Sequence, residues 1–194
     1  MKSTLNGLVF SCATLAFAAT ASAQSEADML AAAKAASMKY MDVNVALADG
    51  FIPDPSGQCV SAAAEGLPPE MGAMGIHYLN MARLQITGGD PKVTGVGLNV
   101  DFNAPSILLY EPQGDGSLVL VGVENLVFQD AWAAAGNSAP PAFGDRAWDA
   151  MADDAGTTGD EAHGFAPHYD LHLWLFRENP ADIYAPFNPA VSCG

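Results

Sequence analysis

The segment HYDLHLWLF, residues 168–176, carries polar side chains at alternate positions of an otherwise apolar run. Residues two apart in a β-strand point to the same face of the sheet. One face would then hold His168, Asp170, His172, Trp174 and Phe176. The alternating leucines would face the core. Imidazole and carboxylate groups on one strand face suit either a metal ion or a buried hydrogen-bond network.

The distance between the two histidines of this strand indicates that a straight strand would not bring both to the same ion. Four residues at about 3.3 Å each separate His168 from His172 by roughly 13 Å along a straight strand. Both imidazoles reach one ion only if the strand bends or bulges. We therefore expect His172 to be the stronger ligand candidate and His168 a further one.

Three residues elsewhere in the chain carry matching chemistry. His77 follows two glycines in GAMGIHYLN, and Glu111 and Glu124 each interrupt an apolar run. A buried carboxylate is costly unless it is paired, protonated or bound to a metal. We expect His77, Glu124 and His172 to bind a divalent transition metal, because two imidazoles and one carboxylate suit Zn, Cu, Fe or Mn.

Glu111 is the candidate for a fourth ligand or for a general base acting on metal-bound water. A turn over residues 112–117 would place Glu111 opposite Leu118 rather than beside Glu124, so a shared site for the two carboxylates depends on the strand register. His163 lies in an acidic loop and is a candidate lid residue.

A metal carrier and a metal-dependent enzyme would both use such a set of ligands. The alternative is a ligand-binding or interaction module without metal, in which the His and Glu groups form a buried hydrogen-bond network. The sequence contains no HExxH, G-x-S-x-G or P-loop motif that would favour a particular enzyme class.

The elements that must position these residues are one helical segment and several strands. Helix formers and an apolar stripe predict a helix over residues 25–49, with a break near Met41–Asp42. Alternating apolar runs predict strands over 75–80, 106–111, 118–128 and 168–176. This order favours an α+β fold, with an antiparallel sheet and the long N-terminal helix packed on one face. A small cupin-like β-barrel is the alternative.

The first 23 residues resemble a secretory signal peptide. Lys2 precedes an apolar stretch, and Ala21-Ser22-Ala23 fits the cleavage rule. We therefore expect a periplasmic or secreted protein with a single domain over residues 24–194. An oxidising compartment favours a disulfide between Cys59 and Cys193.

The acidic composition limits the classes of partner. The formal net charge is −15 at pH 7, and such a surface repels nucleic acid and anionic lipid. We expect a metal ion and a small-molecule ligand as partners, with no nucleic acid and no membrane.

Five blocks of the chain resemble a family of small exported bacterial proteins of unknown function. They are YMDVNVALADGFIP, GAMGIHYLN, LLYEP, LVGVEN and LHLWLFRENPADIYAPFNPAVSC. Met81 and Asn125 depart from the family pattern, where a proline and an aromatic residue are common. The resemblance implies one exported domain and the same positions for His77, Glu111, Glu124 and His172.

Overall fold

The computed structural model describes residues 24–156, 160 and 162–194. The predicted signal peptide, residues 1–23, lies outside these ranges. The helices are α1 (Glu26–Ser37), α2 (Val43–Ala48), α3 (Met81–Leu84) and α4 (Gln129–Ala134), with 3-10 turns at Met38–Met41 and Pro69–Met71. The strands are β1 (Phe51–Pro53), β2 (Cys59–Ser61), β3 (Ala73–Asn80), β4 (Ile86–Gly88), β5 (Thr94–Gly95), β6 (Ile107–Pro112), β7 (Leu118–Phe128), β8 (Ala142–Phe143), β9 (Arg146–Ala147), β10 (Asp149–Met151) and β11 (His168–Leu173).

Seven strands form the main sheet, which confirms the predicted α+β class. Their order is β1-β3-β6-β7-β11-β10, with β2 also paired to β3. Every pairing in this sheet is antiparallel. Over the described ranges the two ends of this path do not pair, so the cupin-like barrel considered from the sequence is not found.

The predicted helix over residues 25–49 is interrupted, as expected from its predicted break near Met41–Asp42, so the segment forms two short helices rather than one long helix. Its residues form α1, a 3-10 turn and α2 in succession. The break falls near the predicted position, because Asp42 has an extended backbone and its carboxylate accepts a hydrogen bond from the Asn44 amide at 2.9 Å. Capping of this kind satisfies an amide at the start of α2 that has no partner within the helix.

Both faces of the central strands are buried. The first face packs in one apolar cluster with Ala33, Tyr40 and Ala46 of the N-terminal segment. This cluster includes Leu108, Tyr110, Val123, Val127, Leu171 and Leu173. The second face contributes Leu79, Ile107, Leu109, Leu126, Phe128 and Trp174 to a separate cluster. The candidate ligands His77, Glu124 and His172 lie on this second face, in β3, β7 and β11.

The predicted alternation in residues 168–176 holds as far as the strand extends. Leu171 and Leu173 lie in the first cluster, and Trp174 lies in the second. Phe176 was predicted to share a face with Trp174, but it packs against the first cluster. The reason is that β11 ends at Leu173, and the strict alternation of side chains ends with it.

The predicted disulfide between Cys59 and Cys193 is present, with 5.6 Å between the two Cα atoms. It joins β2 to the C-terminal tail across a sequence separation of 134 residues. Within the described part of the chain the longest helix is α1, with 12 residues. No described helix is long and apolar enough to cross a membrane.

Gly75 lies two residues before His77 in β3 and has a backbone that favours glycine. Its φ is +99°, and an added Cβ would come within 2.6 Å of the Tyr110 carbonyl oxygen on β6. This close approach keeps β3 against β6, so Gly75 fixes the position of His77 through the strand pairing.

We expect Gly75→Ala to lower the free energy of unfolding by about 2–4 kcal/mol, because left-handed strain and a backbone clash add together. Urea denaturation would measure the change. Gly114→Ala is the matched control, since a Cβ there meets no atom within 4 Å; we expect it to change stability by less than about 0.5 kcal/mol. Equal stability of the two variants would contradict the role assigned to Gly75.

Candidate metal centre

Three of the predicted ligands converge on the second face of the sheet. Glu124 on β7 pairs directly with His172 on β11. His77 on β3 reaches the same place across the intervening strand β6, where Leu109 is its neighbour and Ile107 is the neighbour of Glu124. Because His77 and Glu124 are displaced along the sheet, their side chains approach each other diagonally.

One carboxylate oxygen lies between the two imidazoles. The Nε2 atom of His77 is 3.3 Å from Oε2 of Glu124, and the Nε2 atom of His172 is 3.5 Å from the same oxygen. One ligand atom from each of the three residues lies within 4.8 Å of the other two. Two donors bound at about 2.0–2.1 Å to a tetrahedral ion lie about 3.3–3.4 Å apart, so the spacing fits a common ion.

The two most buried members of the group have polar atoms without a hydrogen-bond partner. Oε2 of Glu124 and Nε2 of His172 are both enclosed, and neither has an acceptable donor or acceptor among the described residues. The side chains are 4% and 3% exposed. Leaving such atoms unpaired costs free energy. A metal ion bound between them would satisfy both atoms together.

The ionisation of the group also suits a metal. Burial lowers the pKa of His172 to about 4, and the Glu124 carboxylate offsets only part of that effect. Burial by itself would raise the pKa of Glu124, but the neighbouring His172 and His77 outweigh it and lower the pKa to about 2. At neutral pH the pair is therefore a neutral imidazole and an ionised carboxylate, which are the metal-binding forms.

The group opens into a cavity of about 550 Å³. All four histidines of the chain line it, including His163 of the acidic loop. His163 has a positive φ of 52°, and its Nδ1 atom lies 3.4 Å from Oε2 of Glu65. His163 is therefore part of the cavity wall, and its role as a lid stays a prediction.

His168 lies in the same cavity but outside the group of three. Its Nδ1 atom is 2.9 Å from the Ala166 carbonyl oxygen, and its ring meets Phe165 edge-on. The strand β11 pairs regularly with β7 from His168 to Leu173, so the bend that would bring His168 to the ion is absent from this pairing. The structure therefore does not bring the predicted additional ligand His168 into the group.

Glu111, the predicted fourth ligand or general base, is held elsewhere. Its carboxylate accepts hydrogen bonds from the Arg177 guanidinium and, at 3.0 Å, from the Ser192 amide. The strand register places it opposite Val119 rather than near Glu124. We therefore leave Glu111 out of the proposed site and assign it the role of anchoring the C-terminal tail.

Trp174 backs the His172 ring from the same face. The two rings are stacked, with centroids 6.2 Å apart and planes inclined by 14°. The indole Nε1 donates a hydrogen bond to the Ala185 carbonyl oxygen at 2.6 Å, which fixes the plane against which His172 packs.

Four acidic residues of the cavity wall were not proposed as site residues from the sequence: Asp54, Glu65, Asp160 and Asp170. Asp170 is buried beside His172, with 4.0 Å between its Oδ2 atom and the His172 Nδ1 atom. The strand alternation places Asp170 on the same face as His172, and this pattern could have identified it from the sequence. Asp54 and Glu65 lie in irregular segments, where no periodic pattern predicts direction.

Comparison of the chain with protein-family models, curated proteins and solved structures gives no match. The resemblance to a family of small exported bacterial proteins therefore stays a prediction.

Proposed function

We propose that this is an exported protein that binds one divalent transition metal ion through His77, Glu124 and His172. The observation that carries the proposal is the pair of buried atoms, Glu124 Oε2 and His172 Nε2, which lie 3.5 Å apart and have no hydrogen-bond partner in the described part of the chain. The third ligand atom, from His77, lies within 4.8 Å of both. Zn, Cu, Fe and Mn all accept such a set of donors.

Three protein ligands leave a coordination position for a further group. Zinc sites that act on a substrate commonly have three protein ligands and one exchangeable position, whereas structural zinc sites have four. The ligand group opens into the cavity, so a small molecule there would reach that position. When bound, the ion would supply Lewis acidity to such a molecule.

Export is supported by two features of the chain. The first residues fit the pattern of a signal peptide, and the disulfide between Cys59 and Cys193 is of a kind that persists in oxidising compartments. Together they favour the periplasm or the exterior of the cell.

The metal-free alternative rests on the same contacts. A protonated His77 beside Glu124 would make an ion pair at the observed 3.3 Å, and the three side chains would then form a network without metal. Metal binding by protein purified without a His tag separates the two functions.

We expect chelator-treated protein to bind one equivalent of Zn²⁺. It should also bind one equivalent of Co²⁺, and the bound Co²⁺ should show the visible absorption of a metal site of low symmetry. Isothermal titration calorimetry and absorption would measure both. His163→Asn is a matched control, because Asn tolerates the left-handed backbone at this position and His163 is outside the ligand group; it should keep the stoichiometry. A stable fold that binds none of Zn²⁺, Cu²⁺, Fe²⁺ and Mn²⁺ would favour the metal-free network.

A further inference from the structure

We propose that the cavity over the metal group binds a small amphipathic amine, with a neutral donor on the ion and a cationic end at the acidic wall. This inference rests on the proposed metal function, and it adds the chemical class of the ligand. Three features support it: the acidic side chains of the cavity wall, the place of Glu65 among them, and the apolar side chains that line the remainder of the cavity.

The charged lining of the cavity has one sign. The carboxyl side chains that give it this charge are Asp54, Glu65, Glu124 and Asp160; Asp170 also lines it, but burial and the neighbouring Glu124 raise the pKa of its carboxyl well above the usual value. No lysine or arginine side chain is part of the lining formed by the described residues. A cleft whose walls carry one sign of charge attracts ligands of the opposite sign and disfavours ligands of the same sign.

Glu65 is the carboxylate best placed to receive a cation. Asp160 already forms an ion pair with Lys92 at 3.0 Å. The Asp54 carboxylate accepts a hydrogen bond from the Ser56 amide within its own turn. Among the described residues, the one contact of the Glu65 carboxylate is with His163, at 3.4 Å. Both ring nitrogens of His163 lack hydrogen-bond partners within the same residues. A ligand ammonium group would give Glu65 a close partner.

The remainder of the wall favours an apolar body between the two polar ends. Apolar side chains of the lining include Val60, Met74, Ile107, Leu126 and Phe165. A volume of about 550 Å³ is in the range of cavities that enclose small organic ligands. An anionic ligand of the same size would place its charge against Glu65 instead.

Two imidazoles of matched shape test the class of ligand. The probes are N-aminopropyl imidazole and N-carboxyethyl imidazole, each of which offers the ion a single neutral nitrogen. We expect the Co²⁺-loaded protein to bind the amine about tenfold more tightly than the carboxylate. Titration of the visible Co²⁺ spectrum, with calorimetry, would give both dissociation constants.

Glu65→Gln should reduce this preference at least threefold without changing the amount of Co²⁺ bound. Glu70→Gln removes the same charge from an exposed position outside the cavity and should keep the preference. Equal binding of the two probes, or tighter binding of the carboxylate, to fully loaded protein would overturn this inference alone. Failure to load Co²⁺ would overturn the metal function as well.

Discussion

Replacing Glu124 with glutamine is expected to lower the affinity for Zn²⁺ by at least about a hundredfold while the metal-free protein stays folded. The amide keeps the shape of the side chain, but it removes the charge that offsets the charge of the ion. Loss of a group that only supports a ligand already costs about 10–100-fold in metal affinity, so loss of a ligand charge should cost more. Competition against a chromophoric chelator would measure the change.

The stability of the metal-free variant separates the two candidate functions. Because burial keeps His172 neutral, Glu124→Gln leaves no buried cation beside it, and we expect a change of less than about 1 kcal/mol in the free energy of unfolding. If the imidazoles were charged partners of Glu124, breaking the pair would cost about 3–5 kcal/mol. A loss of that size, without measurable Zn²⁺ binding by the wild type, would contradict the metal proposal.

Glu111→Gln is the matched control, because it changes a second carboxylate on the same sheet. Glu111 holds Arg177 and the Ser192 amide, so its replacement should weaken the attachment of the C-terminal tail. Zn²⁺ affinity should stay within about twofold of the wild type. A loss of affinity as large as that of Glu124→Gln would return Glu111 to the ligand set.

Removing the disulfide with Cys59→Ser and Cys193→Ser is expected to lower the free energy of unfolding by roughly 5 kcal/mol. The bridge closes a loop with a separation of 134 residues, and loop-closure entropy grows with the length of the loop. The bridge also holds the tail whose Asn188 exchanges two backbone hydrogen bonds with Ala73 at the start of β3. Urea denaturation of the oxidised wild type and the double variant would measure the loss.

Reductant supplies the control for this experiment. It should destabilise the wild type by a similar amount and leave the double variant unchanged, since both serines are inert. A double variant within about 1 kcal/mol of the wild type would show that native packing alone holds the tail. In that case the bridge would contribute little to the stability of the fold.

Local patterns predicted four strands of the main sheet, β3, β6, β7 and β11, because hydrophobic alternation can be recognised within each segment; the three-residue strands β1, β2 and β10 are too short to show it. The hairpin of β6 and β7 is present, but its turn is one residue shorter than the predicted 112–117, because Pro112 pairs with Leu118 and Glu111 therefore lies opposite Val119. The opposite faces of Leu171 and His172 also followed from alternation alone. These features depend on neighbours within about ten residues, where period and turn geometry decide the structure.

The arrangement of the site depends on contacts between distant parts of the chain. The meeting of His77 with Glu124 requires the strand order β3-β6-β7, which no local pattern specifies. Glu111 looked equivalent to Glu124 as a charge in an apolar run, but Arg177 in the tail pairs with it.

The positions of β3, β7 and β11 along the chain determine when the proposed metal site can form. The three proposed ligands lie on β3, β7 and β11, and β11 is the last strand of the described chain. A nascent or translocating polypeptide lacks the complete coordination sphere until that strand has docked. A chain exported in an unfolded form would therefore take its ion from the compartment of its destination, and the metal supply of that compartment would select the ion.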